Sequence, residues 1–203
     1  MYFSGLAALT SRLSPAFPSS RLCIKVVSTW EGLQACRELT DIGIKTLATT
    51  LFTMEQAILA AECGCTYIAP FIHELKAFFD ESYDDGGANL ALCVEAQQYY
   101  KQNACPTIVK AAGLLSIMEA KMLAGVDSMT VAPDLLRTLA STSATEEDVE
   151  KLSIFRDGTN PRKDEMQRPT YIKEERVWKE AFAEAYGGKG LWKTNEVRSI
   201  ALP

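Results

Sequence analysis

Lys25 stands in the middle of an apolar run, Arg21-Leu22-Cys23-Ile24-Lys25-Val26-Val27, and Ser28-Thr29-Trp30-Glu31-Gly32 follows at once. A lysine inside a buried strand is costly unless its charge is used or its pKa falls. An amine that is neutral near pH 7 attacks a carbonyl and forms a Schiff base, so this position is a candidate for covalent catalysis. The plainer alternative is a strand-end lysine that reaches water along its methylene stem. Lys110, in Ile108-Val109-Lys110-Ala111, has an equally apolar context, and pattern alone does not separate the two. Glu74, Asp80, Asp84 and Asp85 are acid/base candidates, set against a solvated acidic loop. His73 is the only histidine, so a His-based metal site or a Ser-His-Asp triad is thinly supplied and no metal is expected. Of the six cysteines, Cys23, Cys36 and Cys93 lie in apolar segments and read as small core residues. Cys63-Gly64-Cys65 has the wrong spacing for a zinc knuckle, and the cysteine usage fits a reducing cytosol.

These groups need a scaffold, and the chain repeats one theme from residue 22 to about 140: an apolar run, a polar break, a helical pattern. The runs are 22–27, 44–50, 66–71, 107–112 and 128–132, with helices over 30–41, 54–62, 89–103, 116–124 and 134–140. Gly43, Gly64 and Gly125 stop three of the helices. Short continuous apolar strands alternating with helices predict a parallel sheet covered by helices, either an open doubly wound sheet or part of a (β/α)8 barrel. Neither a Gly-x-Gly-x-x-Gly nor a Walker loop is present, which removes support for a nucleotide cofactor.

Composition adds exclusions. The 203 residues are 47% hydrophobic and 23% charged, as in one ordinary globular domain, and the net charge of -5 argues against nucleic-acid binding. No apolar run approaches the roughly 20 residues that span a bilayer. Residues 1–20 read as an N-terminal extension or part of a helix; Pro15 and Pro18 argue against an amphipathic transit peptide. The tail, 141–203, changes character: 145–148 reads as a helix start, 157–169 as an exposed loop and 172–186 as an amphipathic helix. Its last residues show no clear pattern.

The stretch Ile24-Lys25-Val26-Val27-Ser28-Thr29-Trp30-Glu31-Gly32 resembles the Schiff-base strand of transaldolases and, more loosely, of fructose-6-phosphate aldolases. The similarity continues through Leu47-Ala48-Thr49-Thr50-Leu51-Phe52-Thr53, Gln56-Ala57 and Tyr67-Ile68-Ala69-Pro70-Phe71, and more weakly through 109–116 and 123–127. It implies a (β/α)8 TIM-type barrel in which Lys25 forms an imine with a ketose donor. A dihydroxyacetone unit then passes to an aldehyde acceptor without any cofactor, in carbohydrate metabolism of the pentose-phosphate type. By the same resemblance Thr49 holds the water used for proton transfer, and substrate-binding positions fall at Ala69, Phe71 and Gly113. The implied partners are small-molecule ketoses and aldehydes, with a homo-oligomer and a cytoplasmic location among the expectations.

Several positions depart from the family pattern. The donor-binding serine is Ala69, as in the small aldolases, and the phosphate-binding arginine falls on Glu74. The second phosphate pair, a serine and an arginine, falls on Gly113 and Leu115. A carboxylate repels a phosphate, so the expected substrate is not a sugar phosphate, unless Arg137 substitutes. The Thr-Asn-Pro segment of the family's first strands is missing, and only about 20 residues precede the lysine strand. The resemblance therefore covers strands four to eight of a barrel over residues 21–140, with C-terminal helices in 141–203. Three expectations follow: a truncated form of an enzyme, a remnant or interaction protein without the N-terminal acid/base residues, or a barrel completed by another chain.

Overall fold

A computed structural model describes residues 12, 17–80, 82–156 and 170–201, with the side chains of 198–201 left aside. Residues 1–11 and 13–16 of the extension expected over 1–20, and the loop expected at 157–169, lie outside the described residues. Five strands form one sheet: β1 (Cys23–Val27), β2 (Lys45–Leu51), β3 (Tyr67–Pro70), β4 (Ile108–Ala111) and β5 (Ser128–Met129). All neighbouring pairs are parallel, and the spatial order β1-β2-β3-β4-β5 follows the chain. A doubly wound sheet reverses its strand order at a switch point, whereas barrel staves follow one another in sequence. The order here is that of barrel staves.

Helices α1 (Trp30–Asp41), α2 (Met54–Glu62), α3 (Ala91–Gln102), α4 (Ile117–Met122) and α5 (Pro133–Ser141) follow successive strands. Their starts are written in the sequence. Thr29 caps α1 by accepting from the Gly32 amide, and capping boxes start α2 (Thr53 with Gln56) and α4 (Ser116 with Glu119). Gly64 and Gly125 take φ of +72° and +117° where the chain turns back to a strand, a conformation that a side chain would strain.

The two faces of the sheet differ. Ile24, Val26, Thr46, Ala48, Ile68, Val109 and Ala111 point to one face and are buried against Leu33, Cys36, Ile58, Leu59, Cys93 and Ala96 of the helices. Burying each large aliphatic side chain is worth about 1.5–3 kcal/mol. The register places Cys23, Lys25 and Val27 on the other face, with Lys45, Leu47 and Thr49, then Tyr67, Ala69 and Phe71, then Ile108, Lys110 and Ala112. That face is the one a closed barrel would turn inward.

It corrects two sequence expectations. Cys23 is exposed rather than core, because it alternates onto the open face. Lys25 is exposed for the same reason, so its strand does not enclose it. Cys63 and Cys65 are instead buried behind the sheet, and burial pushes the Cys63 thiol up to about 12, which removes it as a nucleophile at neutral pH.

The tail supplies α6 (Glu146–Leu152), α7 (Glu175–Glu184) and α8 (Lys189–Ala201). The amphipathic helix expected from 172 begins at Glu175, and Trp178 and Phe182 form its buried stripe. The Trp178 indole stacks on Phe182 at 4.9 Å and donates to the Glu55 carbonyl at 2.9 Å, which fastens α7 to the start of α2. The patternless end is a helix, α8, whose fit is described below.

Candidate functional site

The residues that flank Lys25 are spent on architecture. Ser28 is fully buried, and its amide and hydroxyl both donate to the Thr49 carbonyl at 2.8 Å, locking β1 to β2. Trp30 lies 5.9 Å from the Trp178 ring, and Glu31 pairs with Lys179 of α7 at 3.3 Å. A Cβ on Gly32 would come within 2.1 Å of the Val27 carbonyl oxygen, so only glycine lets α1 start this close to the strand it follows.

Lys25 itself leans toward the C-terminal ends of the strands, with Nζ 5.9 Å from the centre of the Phe71 ring. Lys110 goes the other way. Its Nζ sits 4.9 Å from the Tyr67 ring, one turn of the pleat toward the N-terminal ends. Barrel chemistry occurs at the C-terminal ends, so the structure separates two lysines that the sequence pattern leaves equivalent. Among the described residues no carboxylate is within ion-pair reach of Lys25.

Thr49 lies opposite Val27 on the neighbouring strand, on the same face as Lys25. It is 7% exposed, and its Oγ1 has no hydrogen-bond partner. An unmade buried hydrogen bond costs about 1–3 kcal/mol, so such a hydroxyl is a docking point for water or for a polar ligand group. The next residue, Thr50, takes φ of +56°, and the β2–β3 register shifts between Ala48 and Leu51. A β-branched residue in the left-handed region at a bulge is strained backbone beside the site.

Gln56 holds that strain in place, and sequence reasoning marked it only as part of the resemblance. Its amide is fully buried, and Oε1 accepts from the Phe52 and Thr53 amides at 2.8 and 3.2 Å. Nε2 donates to the Ser28 carbonyl at 2.9 Å, and to the Thr50 carbonyl and Thr194 Oγ1 at 3.2 Å each. One side chain thus ties β1, the β2 bulge and α8 together.

The remaining expected positions follow β3 and β4. Ala69 is 3% exposed on the open face, and Phe71 bridges to Ala112 and meets Phe52 edge-on at 5.8 Å. Gly113 has φ of +83°; a Cβ there would stand 3.3 Å from Phe78 and 3.8 Å from the His73 amide nitrogen. Arg137 is exposed and pairs with Asp134 on its own helix.

Glu74 and Asp85 do not belong to a solvated acidic loop, contrary to the plainer expectation, whereas Asp84 is exposed. Glu74 is 5% exposed, pairs with Lys193 of α8 at 3.0 Å and accepts from the Tyr83 hydroxyl, which pushes that phenol up to about 12. Asp85 Oδ2 accepts from the Glu74 amide at 3.0 Å and meets His73 Nδ1 at 2.8 Å. His73 Nε2 meets Glu119 Oε1 at 3.1 Å, and Glu119 Oε2 accepts from the Leu115 and Ser116 amides at 2.8 and 3.3 Å. Among the described residues no helix is long and apolar enough to cross a membrane.

With this geometry in view, comparison with known proteins is specific. A family model described as transaldolase/fructose-6-phosphate aldolase matches residues 5–186. The transaldolase NQM1 of Saccharomyces cerevisiae is 38% identical over 157 residues, which cover 69% of this chain and 47% of that protein. The transaldolase of Alteromonas mediterranea is 38% identical over 128 residues, covering 60% of this chain and 40% of its own length. A transaldolase of Shewanella sp. (strain W3-18-1) is 38% identical over 130 residues, covering 62% and 41%. The chain thus spans less than half the length of these relatives.

Proposed function

The chain belongs to the transaldolase/fructose-6-phosphate aldolase family, and on that premise we propose that Lys25 is the Schiff-base lysine of a transaldolase-like transfer. Its Nζ adds to the C2 carbonyl of a ketose, and water leaves to give a protonated imine. Cleavage of the C3–C4 bond releases an aldehyde and sends the electron pair into the imine, which stabilises the three-carbon unit as an enamine. The enamine carbon then attacks an acceptor aldehyde, and water returns to release the new ketose. The reaction balances without redox chemistry, so the residues need to form the imine, hold the water and move protons.

The observation that carries this reading is the placement of Lys25 and the unpartnered Thr49 Oγ1 on one face of two hydrogen-bonded strands, with Thr49 opposite Val27. Thr49 has a free valence for the water, and Ala69, Phe71 and Gly113 line the path from β3 and β4. We place this chemistry in residues 21–140 and assign 141–203 to support. The small-molecule partners and a cytoplasmic location belong to the same proposal. A second reading, a family member without turnover, draws on the lack of a described carboxylate beside Lys25, since proton transfer to and from the imine needs one.

Borohydride trapping decides between them. Incubation with dihydroxyacetone and borohydride adds the reduced three-carbon mass at Lys25 and not at Lys110, and Lys25→Ala abolishes it. Folded protein that gains no adduct at Lys25 sinks the imine reading. An adduct without transfer to an aldehyde supports the second.

A further inference from the structure

The C-terminal mouth of the sheet carries an unusual set of groups that the proposed imine chemistry does not use. Three carboxylates, Glu74, Asp85 and Glu119, sit there with side chains 6%, 7% and 14% exposed. Each is engaged from within. Asp85 takes the Glu74 amide and His73 Nδ1, while Glu119 takes the Leu115 and Ser116 amides and His73 Nε2. Glu74 takes Lys193 and the Tyr83 hydroxyl. The Glu74, Leu115 and Ser116 amides, His73 and Lys193 are therefore already holding the protein's own carboxylates. His73 and Lys193 are the basic groups bonded to these acids, and three acids outnumber them in either state of the imidazole ring; Lys76, over the Tyr83 ring at 4.5 Å, comes with its own acid, Asp80, at 3.9 Å and leaves the balance unchanged.

The other strand cations do not redress the balance. Lys110 lies over Tyr67, and Lys45 pairs with Cys23, two residues before Lys25, so both belong to the N-terminal half of the open face. Lys25 is the group that would be consumed by the imine. What remains unsatisfied at the site is uncharged, the Thr49 hydroxyl, more than nine-tenths buried and without a partner.

Resting on the Schiff-base reading above, we propose that this site selects an uncharged polyhydroxy carbonyl substrate, and that the His73–Asp85–Glu119 cluster with Glu74–Lys193 is what rejects a phosphorylated one. A phosphate arriving at the rim meets buried like charge and finds those donors taken. Placing like charges together costs enough to discriminate by roughly tenfold or more. A hydroxyl end group meets no such penalty and can use the carboxylate oxygens as acceptors.

Two measurements on the full chain test this independently. The first compares borohydride trapping at Lys25 with fructose and with fructose 6-phosphate at equal open-chain concentration, which differ only in a charged group at the end that C3–C4 cleavage releases. The expected result is trapping of the uncharged donor roughly tenfold or more faster; equal rates, or preference for the phosphate, overturn the proposal. The second titrates inorganic phosphate while following the backbone amide signals of Glu74, Leu115 and Ser116 by NMR. Unmoved signals at millimolar phosphate support internal occupation, and saturable shifts overturn it. Glu119→Ala then frees the Leu115 and Ser116 amides, and their signals are expected to respond to phosphate; folded variant that stays silent counts against Glu119 as the occupant. Should neither donor trap at Lys25, the imine reading fails while the phosphate titration still decides whether the rim excludes anions.

Discussion

Gln56→Leu is the sharpest test of how the site is held. Leucine has nearly the same volume, so the substitution removes hydrogen bonds while leaving the buried space filled. Four backbone groups lose their partner: the Phe52 and Thr53 amides, bound at 2.8 and 3.2 Å, and the Ser28 and Thr50 carbonyls, bound at 2.9 and 3.2 Å. Thr194 keeps its bond to the Gly190 carbonyl at 2.9 Å and is affected less. Each orphaned buried amide costs about 1–3 kcal/mol, the carbonyls add a smaller amount, and the extra apolar burial returns part, so the expected loss is about 3–5 kcal/mol. That is a large share of the roughly 5–15 kcal/mol that holds a domain folded. Equilibrium urea denaturation followed by tryptophan fluorescence reads it directly. A loss under about 1 kcal/mol would refute the argument, because it would mean that these groups find water or each other at no cost. Gln56→Glu separates bonding from shape. Its carboxyl still accepts from the two amides but faces two carbonyls, so the folded state favours the protonated form and raises this group's pKa. The variant should therefore be closest to the parent below the ordinary glutamate value of about 4.3 and lose stability as pH rises above it.

Two further perturbations follow from the rim. Lys193→Met leaves the Glu74 carboxylate buried without its ammonium, a loss of about 3–5 kcal/mol or roughly 10 °C in Tm, and adding Glu74→Gln to it recovers most of the fall; a single variant that melts like the parent contradicts the pair's burial. Burial pushes the Asp85 carboxyl up, but the Glu74 amide, His73 and the Gly87 amide outweigh it and hold the carboxyl below its ordinary 3.8. A depressed acid contributes stability that is complete above that ordinary value and is lost as pH falls through the lower folded one. Thermal scans of Asp85→Asn against the parent should therefore differ by a constant amount above about pH 5 and converge only once pH falls below the lowered folded pKa, which lies under 3.8.

The strands were legible because each is a short apolar run whose helix-facing side must be buried, and Gly43, Gly64 and Gly125 mark the turns that need positive φ. The open face was not legible as open, since Cys23 and Lys25 sit in runs whose alternation a continuous apolar pattern hides. The end of the chain was illegible for a different reason. Helix α8 buries Lys193 and Thr194, polar residues with no apolar stripe to announce them, and each meets a partner far back in the sequence, Glu74 and Gln56. Glu74 is misread for the same reason, because a lone acid after a strand looks solvated until its distant ammonium is known. Local pattern reports local burial; these positions are decided by contacts that close late in the chain.

That distinction bears on what the family likeness measures. In Lys25–Gly32 almost every residue has a structural task that does not involve a substrate. Ser28 locks two strands, Thr29 caps a helix, Trp30 and Glu31 receive α7, and Gly32 permits a close approach. A chain that had lost turnover would still be selected to keep them, so the motif is strong evidence of fold and weaker evidence of catalysis. Lys25 and Thr49 differ from their neighbours on this point. One is a cation on an open face with no described carboxylate beside it, and the other is a buried hydroxyl whose bond is unmade. Stability alone gives no reason to keep a lysine at the first position or an unpaired hydroxyl at the second, where valine would fill the same space without an unmet donor. The case for activity therefore rests on those two residues, and the stability cost of each is the measure of how much function must be compensating.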